Sequence, residues 1–109
     1  PAVTDAEKVL RWMGYEEDLQ SGWWMKHGET HMRADDQQDG WSSPIDANWI
    51  TGTLIPALEE RLGLRYGAFW PLGDEVEVSI STPDAMFRGT GSTFEAAFLA
   101  AAAKAVSDA

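Results

Sequence analysis

The apolar positions change period along the chain, and the changes divide it into elements. Thr4-Asp5-Ala6-Glu7 has the form of a capping box, in which the Thr4 hydroxyl accepts from the Glu7 N–H and the Glu7 carboxylate reaches back. Val9, Leu10, Trp12 and Met13 follow as a short apolar face, and Gly14 suits a left-handed C-terminal cap, so a helix is predicted over 4–13. Residues 15–22 are polar and acidic and read as a loop. The stretch 23–33 has an aromatic start and a central Gly28, which suggests two short strands around a turn. Residues 35–40 are a loop by composition.

A second helix is predicted over 44–62, with Ser43 as N-cap, Pro44 at the first helical position and Asp46 in the first turn. Ile45, Trp49, Ile50, Leu54, Leu58 and Leu62 recur on one face, and Gly63 ends the helix. Pro56 lies inside it and predicts a kink, with Gly52 four residues earlier where the ring crowds the chain. The period then drops to two. Leu64, Tyr66, Ala68 and Trp70 alternate with Arg65, Gly67 and Phe69, and Val76, Val78 and Ile80 alternate with acids and serines. With a third strand from Met86, this predicts an antiparallel meander of three strands at about 64–71, 75–81 and 86–90. Ser92 and Glu95 suggest another capping box, opening a helix over 93–106 whose inner stripe is Phe94, Phe98, Ala101, Ala102 and Ala105. The fold class is therefore α+β: one domain, 1–109, with the meander packed against helices in a layered sandwich.

Composition narrows the chemistry. The chain holds 18 acids against 8 bases, a net charge of −10, which argues against direct binding of nucleic acid or an anionic membrane surface. It contains no cysteine, which excludes disulfides, thiolate metal sites and a cysteine nucleophile. No apolar run approaches the ~20 residues of a membrane span, and residues 1–10 carry Asp5 and Glu7 where an export signal would be apolar. A cytoplasmic protein is expected.

Four features, in order, resemble the phage ABA sandwich domain family, small proteins of phages and prophages. They are the helix ending in Trp12-Met13-Gly14-Tyr15, the Trp23-Trp24 segment, Trp41-Ser42-Ser43-Pro44-Ile45-Asp46-Ala47-Asn48-Trp49, and Gly91-Ser92-Thr93-Phe94-Glu95-Ala96-Ala97. The resemblance covers nearly the whole chain. It implies a helix–sheet–helix sandwich and a phage context, and carries over no catalytic residues.

Several residue groups could bear chemistry. Counting Asp35 as position 1, the 35–46 loop parallels a calcium-loop register through Gln37, Asp39, Gly40, Trp41, Ser43 and Asp46, although Gln37, Asp46 and Pro44 depart from it. His27 and His31 have the spacing of two metal ligands on a helix, but Gly28 lies between them. No serine sits in a nucleophile elbow. Glu16, Glu17 and Asp18 could join the 35–39 acids as a carboxylate site. The Gly89–Thr93 turn could cradle an anion, or serve as a tight turn plus cap. Trp12, Trp49 and Trp70 fall on predicted apolar faces and are expected in the core. Trp23, Trp24 and Trp41 lie in or beside loops.

Residues 1–46 hold 10 acids and 4 bases, so the acid surplus coincides with those three tryptophans. The expected function is therefore non-enzymatic protein binding, with no cofactor. The surface would be Trp23, Trp24, Trp41, Asp35, Asp36 and Asp39, and the partner a protein, such as a host factor that binds nucleic acid. The alternatives are a metal-binding or enzymatic protein using the 35–46 loop, and an assembly protein forming a homodimer through its last helix or a sheet edge.

Overall fold

The computed structural model describes residues 3–34 and 42–108. The fold is α+β, with two sheets and a set of helices. Helix α1 (Asp5–Trp12) begins at the capping box: Glu7 N donates to Thr4 Oγ1 at 3.2 Å, and Thr4 N reaches the Glu7 carboxylate at 3.5 Å. Gly14, at φ 98°, turns the chain out of the helix.

A four-stranded sheet then forms from very short strands, in the order β1 (Glu16–Glu17), β2 (Trp23–Met25), β3 (Met32–Arg33) and β4 (Ser43–Pro44). The β2–β3 pair is the expected hairpin, antiparallel with Trp24 opposite Met32. Two of these strands correct the sequence reading. Residues 16–17 pair with β2 instead of lying in a loop. Ser43 and Pro44 pair in parallel with β3 instead of opening a helix. The helix starts later, because Asp46 takes over as N-cap, its Oδ1 accepting from Trp49 N at 2.9 Å. Ser, Asp and Asn cap helices about equally well, so the local pattern does not choose between Ser43 and Asp46. Pairing with β3 decides it.

Helical turns run from 47 to 62 in three parts: α2 (Ala47–Trp49), a π-helical stretch (Ile50–Leu54) and α3 (Ile55–Leu62). The disturbance expected at Pro56 takes this π form. In the wider turn Ile55 N donates to Ile50 O, five residues back, so the ladder widens ahead of the proline, which has no N–H to give. Gly63, at φ 69°, closes the helix.

The predicted meander forms a separate sheet of β5 (Tyr66–Leu72), β6 (Glu75–Ser81) and β7 (Met86–Gly91), with β6 in the centre. Val78 and Ile80 are buried on its inner face. The register sets Gly67 opposite Ile80 and Phe69 opposite Val78, so the inner positions of β5 are Gly67 and Phe69. This inverts the expectation for Trp70, which pairs with Glu77 on the outer face and is 39% exposed.

Helix α4 (Phe94–Asp108) lies across the inner face against β6 and β7, and α1 packs on its other side. Its N-cap is Thr93, whose Oγ1 accepts from Ala96 N at 3.1 Å, one residue later than the expected Ser92. Sandwiched in this way, α4 buries more than its predicted stripe: Ala97, Ala103 and Val106 are buried along with Phe98, Ala101, Ala102 and Ala105. The glycines of β7 allow the close approach. A Cβ at Gly89 would overlap Ala101 N and Ala97 O, and one at Gly91 would lie 2.8 Å from Ala96 Cβ. The Gly89–Thr93 turn is thus explained by packing and capping. No helix among the described residues is long and apolar enough to cross a membrane.

Candidate functional site

The acidic first part of the chain is held against α1 and α2 by three contacts. Tyr15 is buried directly after the helix, with its ring 6.5 Å from Trp49, edge-on. Trp24 is buried too, and the Arg11 guanidinium stands 5.0 Å from its ring. Arg11 also approaches Glu17 at 3.7 Å. Between β1 and β2 the Asp18 carboxylate accepts from Gln20 N at 3.1 Å and Ser21 Oγ at 2.8 Å, and Gly22, at φ 77°, returns the chain into β2.

This frame positions the carboxylates. Glu16, Glu17, Asp18 and Glu29 line one open groove of about 600 Å³, together with Lys26, His27 and His31. Apart from the partly covered Asp18, these carboxylates belong to exposed residues. Lys26 Nζ lies 5.7 Å from the Tyr15 ring. The Tyr15 phenol is pushed above its usual value, chiefly by burial, against a lowering by its hydrogen bond with Trp49 and with a smaller raising by the charge of Glu29.

The expected surface residues have different fates. Trp23 is half-buried and stacks on His31, with ring centroids 4.9 Å apart. Trp24 is 2% exposed, which removes it from any contact surface. Neighbouring residues of a strand point to opposite faces, so a Trp-Trp pair in β2 sends one ring inward. Trp41, Asp35, Asp36 and Asp39 lie outside the described residues. Trp12 and Trp49, expected in the core, are half-buried and pack against it.

Of the 35–46 metal candidate, residues 35–41 lie outside the described residues. Ser43 and Pro44 belong to a strand, and the Asp46 carboxylate is engaged as a helix cap. Among the described residues no three His, Cys, Asp or Glu side chains are grouped to hold a metal ion. Glu29 is the groove carboxylate that sequence reasoning passed over. Its signal was Gly28, at φ 80°, in the turn between β2 and β3, a turn that lines the same groove as β1. Compared with known proteins, the chain matches no protein-family model, no curated protein and no solved structure.

Proposed function

We propose that this chain is a non-enzymatic accessory protein of phage or prophage origin that acts by binding a basic protein partner. The partner class we favour is a host factor that binds nucleic acid. The observation that carries this reading is the groove in which Glu16, Glu17, Asp18 and Glu29 converge, with the half-buried Trp23 in the strand beside it. A row of carboxylates offers a basic surface the charge it otherwise finds on phosphates, and such complementarity mainly raises the association rate. The resemblance to the phage ABA sandwich domain family supplies the biological context. With Trp24 buried, the binding surface is redrawn around Trp23 and the groove carboxylates.

The test is capture from host lysate, followed by measured binding of the captured protein at about 50 and 300 mM NaCl. Basic partners should be released by salt, by roughly tenfold or more in affinity. The triple variant Glu16→Gln, Glu17→Gln, Glu29→Gln should reduce binding at low salt and flatten the salt dependence. It leaves Asp18, which holds the turn, in place. Salt-independent affinity, or an unaffected triple variant, would overturn the proposal.

A further inference from the structure

A second concave feature lies on the opposite sheet, apart from the acidic groove. Between α3, α4 and the inner face of β5–β6 is a pocket of about 130 Å³, lined by Ile55, Gly67, Phe69, Val78, Phe94 and Phe98. Every lining residue is apolar, and no polar atom faces into the pocket. Phe94 meets Phe69 edge-on at 5.5 Å and Phe98 at 5.7 Å, so three rings form one wall. Phe69 is 62% exposed and borders the pocket.

Gly67 is the informative position. Seven of the other described glycines have a structural reason. Gly14, Gly22, Gly28, Gly63 and Gly73 adopt positive φ, and Gly89 and Gly91 make room for α4. Gly67 has neither reason. Its φ is not positive, and a Cβ there would meet Ser79 O at 3.9 Å and Ile80 Cγ2 at 4.0 Å, which is ordinary contact. Glycine inside a strand weakens it, because it packs nothing and has more freedom to lose. What Gly67 leaves is space, in the lining of this pocket.

We infer that the pocket is a binding site for one neutral, benzene-sized aromatic ring, carried by a free small molecule. The size fits: a cavity of about 150 Å³ lined by aliphatic and aromatic side chains takes up benzene. The chemistry selects for neutrality, since a charged or hydrogen-bonding group would lose its water and find no partner. The three phenylalanines offer ring edges and faces to an aromatic guest.

The experiment is an NMR titration of the full chain with benzene, with benzoate as the charged control. Benzene should shift the methyl signals of Ile55 and Val78 saturably, with Kd on the order of millimolar, as expected for six carbons in a pocket open on one side. Benzoate should leave them unchanged. Gly67→Val should fill the pocket and abolish the benzene shifts while the remaining spectrum stays native. Mapping on the unmutated chain keeps the test independent of whether that variant folds. No saturable shift at Ile55 and Val78, an equal response to benzoate, or full binding by a folded Gly67→Val variant would overturn the inference. None of these outcomes bears on the acidic groove, because the two sites share no residue.

Discussion

Tyr15 shows how much one buried group controls. Burial raises its pKa above 10.0, so the folded chain keeps the phenol neutral at a pH where the unfolded chain has begun to ionise it. Below about pH 10 both states hold the proton and the stabilisation is complete. As pH rises through the folded value, the unfolded state has fewer protons bound and stability falls. Urea unfolding at pH 9 and pH 11 should show this loss. Tyr15→Phe should be less stable at pH 9 by about 1 kcal/mol, for the lost bond to Trp49, yet lose less between the two pH values. Equal losses in both proteins would remove Tyr15 as the cause. The same residue scale shows where sequence reading stopped. Trp23 and Trp24 were legible as aromatics near loops, but their faces were not. Two short strands gave too few positions for an alternation to phase.

At the scale of elements, legibility followed contrast between faces. In β6 one face is Val76, Val78 and Ile80 and the other is charged or hydroxylated, so both strand and phase could be read. In β5 both faces carry apolar residues. The strand was evident, but its phase came out inverted until β6 fixed the register. The 43–46 segment failed for another reason: its strand pairing is with β3, eleven residues earlier, and no local signal encodes that. The contact of α4 with β7 depends on sequence more directly. At Gly89 the atoms that a Cβ would strike are backbone, Ala101 N and Ala97 O, and cannot rotate away. Gly89→Ala should therefore force α4 off the sheet and cost about 1–3 kcal/mol, read as a lower urea midpoint at unchanged slope. Gly52→Ala is the control. Its Cβ meets nothing within 4 Å, and the change should be neutral or stabilising. Equal stability of the two variants would mean that α4 does not rest on the β7 backbone.

For the whole molecule the decisive quantity is charge. With 18 acids and 8 bases, ten carboxylates are left over even if every Lys and Arg took one. The exposed Arg11–Glu17 pair, at 3.7 Å, offsets little of this repulsion. The molecule measures 36 × 32 × 28 Å, while the screening length is about 30 Å at 10 mM salt and about 8 Å at 150 mM. At low salt, then, nearly every carboxylate feels the others, and at physiological salt only near neighbours do. Folding concentrates that charge, so screening should stabilise the folded state. The melting temperature should rise by several degrees between 10 and 150 mM NaCl, since about 1 kcal/mol moves Tm by ~4–8 °C in a domain of up to 100 residues. Sodium chloride is the appropriate salt, because sulfate would also strengthen apolar burial and blur the cause. A falling Tm would mean that attractive pairs outweigh the surplus. The sign also protects the functional test. Salt that strengthens the fold while releasing a basic partner cannot be releasing it by unfolding the protein, so a steep loss of binding with salt reports on the groove itself.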